Sequence, residues 1–131
     1  MAQTNLNPNA NINGFDAGID SVTIANYIEG IPGGRSLNIT GFAPSVIKAG
    51  HVVIKETATD EYKPMPVNST EDAYATLPNG HTIEGVVVSS VVKELAMVGI
   101  MVRGSVNAVA SPYPVTTQIK NALPLIRFIQ D

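Results

Sequence analysis

His51 and His81 are the only histidines in this 131-residue chain, and each directly follows a glycine at the start of an apolar run. With Glu56 and Glu84 close behind them in sequence they would supply imidazole and carboxylate ligands of the kind that hold zinc. Two histidines thirty residues apart make a thin ligand set. Turn or interface histidines bonded to backbone are the simpler expectation, so no metal site is expected. A serine nucleophile would need a histidine, a carboxylate and commonly a Gly-x-Ser-x-Gly elbow, which the chain lacks. Gly33-Gly34-Arg35-Ser36 could form an anion nest, but neither a Walker pattern nor a dinucleotide glycine pattern is present, so a turn is expected there. The acidic pairs Asp60-Glu61 and Glu71-Asp72 stand in polar loops, without the burial that would separate their pKa values for acid and base work. With no cysteine there is no thiolate chemistry. No catalytic residue and no cofactor is expected, and the chain reads as non-enzymatic.

Composition narrows the partners. The chain is 44% hydrophobic and only 15% charged, so much of its surface must be covered by uncharged polar atoms, apolar atoms or other subunits. A net charge of -3 offers no basic field for a phosphate backbone, which argues against nucleic acid. The most apolar stretch, residues 83–110, is interrupted by Ser89, Lys93, Glu94 and Arg103, so no membrane span is expected. Residues 1–14 lack the cationic and apolar regions of a secretory signal.

The elements that would position any site are mostly strands. In the first fourteen residues Asn5, Asn7, Asn9, Asn11 and Asn13 alternate with Leu6, Pro8, Ala10 and Ile12, a period of two that suits an extended arm with one wet and one dry face. Such an arm is expected to be flexible in the free protein and to order on a partner by adding a strand, with Leu6, Pro8, Ala10, Ile12 and Phe15 as its contacts. Residues 21–31 fit a helix or a strand equally well. The turn at Ile31-Pro32-Gly33-Gly34 suggests a division into a lead-in, 1–32, and a β-rich domain, 33–131. Strands are expected around Leu37 to Gly41, from His51 to Glu56 and, at an edge because of its two prolines, from Tyr62 to Val67. Two long strands, Ile83 to Val92 and Met97 to Val109, are expected to form a central hairpin, with Gly99 and Gly104 as bulges or points of close approach. Both faces of the first are apolar, so a neighbouring subunit is expected to cover one of them through Val86, Val88, Val92, Ile100 and Val102. Val115, Ile119 and Leu123 predict two helical turns stopped by Pro124, then a last strand to Ile129. The fold class expected is mainly β, a small barrel or sandwich with one or two short helices and an extended N-terminal arm.

The runs Ile47-Lys48-Ala49-Gly50-His51-Val52-Val53-Ile54, Glu61-Tyr62-Lys63-Pro64-Met65-Pro66-Val67, Leu77-Pro78-Asn79-Gly80-His81, Glu84-Gly85-Val86-Val87-Val88 and Ile100-Met101-Val102-Arg103-Gly104-Ser105-Val106-Asn107 resemble the bacteriophage head fibre family. The likeness spans roughly residues 33–129; more loosely, the order of elements is similar to that of trimeric head decoration proteins of tailed phages. The resemblance implies a homotrimer on the outer surface of the virion, assembled in the host cytoplasm. Its partners would be the major capsid protein and, where the module is the base of a fibre, a longer head fibre protein. It brings no catalytic residues with it. The other expectation compatible with this composition is a carbohydrate- or receptor-binding β-module that uses the acidic loop face and Tyr62, Tyr74 and Tyr113.

Overall fold

A computed structural model describes residues 18–130. The arm and its contacts Leu6, Pro8, Ala10, Ile12 and Phe15 lie outside the described residues. The fold is mainly β, as expected. Ten strands, β1 (Ile24–Gly30), β2 (Arg35–Ser36), β3 (Val46–Ile47), β4 (Val52–Glu56), β5 (Glu61–Pro64), β6 (His81–Val87), β7 (Val91–Val92), β8 (Met97–Val98), β9 (Ile100–Asn107) and β10 (Ile126–Ile129), accompany two short helices, α1 (Asp20–Thr23) and α2 (Thr117–Ala122).

The main sheet runs β1-β9-β6-β4-β5, and β10 also pairs with β9. β9 meets β6 only at Val86↔Met101 and Val87↔Ile100, while β10 lies parallel to its far half from Gly104 to Asn107. The sheet therefore splays, and β10 fills the gap that β6 leaves. The tight central hairpin expected from sequence is corrected here. Residues 88–98 leave the sheet because β7 pairs with β3 and β8 with β2. Ser90 anchors this excursion: its backbone N–H and its hydroxyl each donate to the Asp20 carboxylate at 2.7 Å, and the hydroxyl accepts from the Ala49 N–H at 2.9 Å.

Each face of the sheet has its own core. On one, Val52, Ile54, Ile83, Val86 and Met101 pack with Met65, Val106, Ile126 and the α2 side chains Ile119 and Leu123. On the other, Val53, Val87 and Ile100 pack with Leu37, Phe42, Ile47 and Val98. The alternation read from sequence thus holds, but the cover of the second face comes from the chain's own segment 37–47 and from β8. A register shift opposite Val53 and Ile54 places one extra β6 residue between Ile83 and Gly85. That bulge sets Ile83 on the same face as Val86, three residues on, against simple period-two alternation.

α2 matches the sequence pattern. The Thr116 hydroxyl caps it by accepting the Ile119 N–H at 3.3 Å, Ile119 and Leu123 point into the core, and Pro124 prevents its extension. The boundary at residue 32 needs correction. α1 and β1 resolve the ambiguous stretch into a helical turn followed by a strand, and β1 pairs with β9 from Ile24 to Gly30. Residues from α1 onward therefore belong to the folded body.

Gly104 permits that pairing. Its φ is +152°, and a Cβ there would meet the Asn26 carbonyl oxygen of β1 and, at 2.7 Å, the Met101 sulfur. Gly104→Ala is expected to cost about 2 kcal/mol or more, because both the backbone conformation and the β1 contact oppose a side chain. Urea unfolding beside Gly33→Ala, whose Cβ would meet nothing within 4 Å, measures the share due to the contact.

Candidate functional site: the β1 edge

The five residues expected to face a neighbouring subunit do not form one surface. Val86 and Ile100 are 0% and 1% exposed and belong to opposite cores of the same protomer, so they cannot touch a partner. Val88, Val92 and Val102 are half-buried. The physical reason is the internal second cover: once Leu37, Phe42 and Ile47 occupy that face, its valines have no apolar surface left to offer.

Exposed apolar surface lies elsewhere. Ile19, Val22, Tyr27 and Ile28 are each about half exposed, at 47%, 50%, 53% and 53%, and all stand on α1, β1 or the residue before them. Val109, 70% exposed, joins them, because the Thr23 hydroxyl donates to the neighbouring Ala110 carbonyl at 3.2 Å and so ties α1 to the end of β9. β1 is the terminal strand of its sheet, and its five central residues are exposed, so side chains on both of its faces reach solvent. Nothing guards it. Its sequence, Ile-Ala-Asn-Tyr-Ile-Glu-Gly, contains no proline or lysine, and Glu29 is its one charge. The opposite edge, β5, is short, ends on Pro64 and carries Lys63, the devices that usually prevent edge-to-edge pairing. β1 is thus the less protected of the two edges and the stronger candidate for a contact.

The sequence leaves β1 open between helix and strand because its apolar residues follow neither a clean helical nor a clean strand period. The usable signal was the absence of charge: between Asp20 and Glu29 there is none.

The polar groups considered for chemistry separate into two places. His81 sits at the start of β6, with Nε2 3.6 Å from Glu56 Oε1 and 3.2 Å from Lys63 Nζ, while Lys63 Nζ donates to Glu56 Oε1 at 2.8 Å. The Lys63 bond, then the Thr59 hydroxyl, hold the Glu56 carboxyl below its ordinary pKa. These are cross-strand contacts on the guarded side of the sheet, so they stabilise pairing between β4, β5 and β6. His51 is buried instead, packed edge-on against Phe42, Tyr74 and Tyr113 at centroid distances of 5.3, 5.2 and 5.6 Å. The two histidines thus share no ligand set, and among the described residues no three His, Asp or Glu side chains converge to hold a metal ion.

No family model, curated protein or solved structure matches the chain.

Proposed function

We propose that this chain is a non-enzymatic structural protein that decorates and cements the outside of a bacteriophage head as a homotrimer, or forms the base of a head fibre there. The observation that carries the assembly part of this reading is the bare β1 edge with Ile19, Val22, Tyr27, Ile28 and Val109 around it. A stable interface buries roughly 800 Å² per partner, and an apolar patch on a lone protein rarely exceeds a few hundred Å² without a role. Contact between copies through β1 would take these apolar side chains out of water. The phage assignment rests on the sequence resemblance, with the major capsid protein as the partner and the N-terminal arm as the element that reaches it.

The test begins with mass in solution. Light scattering at micromolar concentration is expected to give three copies per particle, and Ile28→Lys and Val22→Lys variants, altered only at exposed side chains, are expected to keep the β-rich circular dichroism and fall to one copy. A folded monomer from the unmodified chain would remove the trimer. Imaging the protein on purified heads then tests the location.

A further inference from the structure

A cleft of about 620 Å³ opens between α1, the segment before β4 and the loop after β9, with Ile19 at its rim. Asp20, Lys48, His51, Glu71, Ser111 and Tyr113 line it with chemically different groups. Its size lies within the ordinary range for small-ligand sites, roughly 300–1,000 Å³.

Asp20, Ser111 and the backbone that carries Glu71 are held by bonds outside the cleft. Asp20 is fixed by the two hydrogen bonds from Ser90, and a carboxylate with about four acceptor positions keeps others open. Glu71 sits at φ +57° in a turn that Asn68 closes, its side-chain oxygen accepting the Asp72 N–H at 3.1 Å and its backbone carbonyl accepting the Glu71 N–H at 3.0 Å. Tyr113 is half-buried, with His51 against it at 5.6 Å and Tyr74 at 5.1 Å.

The decisive group is His51. Its Nε2 lies 2.9 Å from the Met65 carbonyl, which can only accept, so Nε2 carries the hydrogen and Nδ1 of the neutral ring is an acceptor. No hydrogen bond occupies Nδ1 among the described residues, yet no side-chain nitrogen or oxygen there is both buried and unpartnered. His51 lines the cleft, and Nδ1 is the one ring acceptor it could offer there. His51 serves the fold through Nε2 and its ring neighbours, and Nδ1 is the acceptor it has left for a ligand. Lys48 and Glu71 add a free cation and a free carboxylate, since neither forms an ion pair with another described residue.

The mixture selects the ligand class. Two carboxylates against one lysine repel phosphates and other anions, and three converging metal ligands are missing among the described residues. What remains is a set of acceptors (two carboxylates, one imidazole nitrogen), donors (an ammonium, hydroxyls) and one aromatic ring. A ligand that is neutral, rich in hydroxyls and apolar on one face matches all of them.

We infer that this cleft binds a neutral sugar, one or two pyranose rings, with its hydroxyls bonded to Asp20, Glu71, Lys48 and His51 Nδ1 and its C–H face against Tyr113. Sugar binding would sit beside head decoration and does not depend on it, so either can fail alone.

Titrating the full-length, isotope-labelled protein with maltose, lactose, N,N′-diacetylchitobiose and methyl α-mannoside tests the assignment. At least one of these is expected to cause saturable amide shifts at Lys48, Glu71, Ser111 and Tyr113. Glu71→Gln and Lys48→Ala, both changes at exposed side chains, are expected to weaken that sugar roughly tenfold by removing one charge-assisted hydrogen bond each. The inference is overturned if none of the four sugars gives saturable shifts there, if both variants bind as tightly as the unmodified protein, or if a short neutral peptide shifts these amides while the sugars do not. Co-sedimentation with heads, run separately, is unaffected by any of these outcomes.

Discussion

Unfolding the protein in urea at pH 7 and again at pH 4 is expected to show a loss of about 3 kcal/mol that a His51→Gln variant does not share. Burial among Phe42, Tyr74 and Tyr113 lowers the His51 pKa from 6.5 to about 4, against a smaller opposing contribution from the Met65 carbonyl. The folded protein therefore keeps the ring neutral where the unfolded chain takes up a proton. Stability from this group is fully present above pH 6.5, falls as pH drops through the interval between the two values, and levels off below about pH 4. About 2 kcal/mol should already be gone at pH 5. That point isolates the histidine, because Glu56 and Asp72, whose carboxyls the fold holds below 4.5 and 3.8, lose their contribution only at lower pH. Glutamine can still donate to the Met65 carbonyl, so the variant retains the bond and loses the titration. A pH 7 to pH 5 difference of equal size in both proteins would mean that His51 is not the group responsible.

This behaviour was hidden in the sequence. His51 could be seen to follow a turn and open a strand, which is compatible with an exposed ring, but its three aromatic neighbours come from positions 42, 74 and 113 and no local pattern links them. The same limit applies to the second core. The strands were legible because Val52 to Ile54 and Val86 to Val88 declare their two apolar faces by type alone. The cover was not legible: the alternation at Leu37 and Ile39 suggests a strand to Gly41, but the strand ends at Ser36, and Leu37, Phe42 and Ile47 are buried by the sheet they fold onto. Assigning that cover to a neighbouring subunit followed from counting faces in the strands and finding no second layer in the pattern. α2 was legible for the opposite reason: three apolar residues four apart and a proline after the end are local signals, to which the structure adds the Thr116 cap. Of the surfaces that could carry function, the β1 edge and the cleft both depend on which distant segments meet. Asp20 and Ser90, seventy residues apart, are an example of a contact that only the fold supplies.

That contact also fixes where the arm must be cut in the experiment that bears most on the proposed function. Removing residues 1–17 spares α1 and the Asp20 bonds to Ser90, so the truncated protein is expected to fold and to keep its oligomeric state. It is expected to lose its hold on capsids by roughly a hundredfold or more. The arm alternates asparagine with Leu6, Pro8, Ala10 and Ile12, a pattern suited to adding an extended segment to a coat protein strand with one side wet and one dry. Fixing each such residue costs about 1–2 kcal/mol of backbone entropy, which a single short arm in solution recovers poorly. Docking of the folded body changes this by keeping the arm near its target, and three arms on one trimer multiply the effect, provided each can span the distance. Seventeen extended residues reach about 55 Å. Co-sedimentation of full-length and truncated protein with undecorated heads measures the difference. Equal retention of the two would leave the arm as a tail, and the contact with the coat would then have to be made by the folded body alone, in competition for the apolar surface around β1 proposed to join the copies.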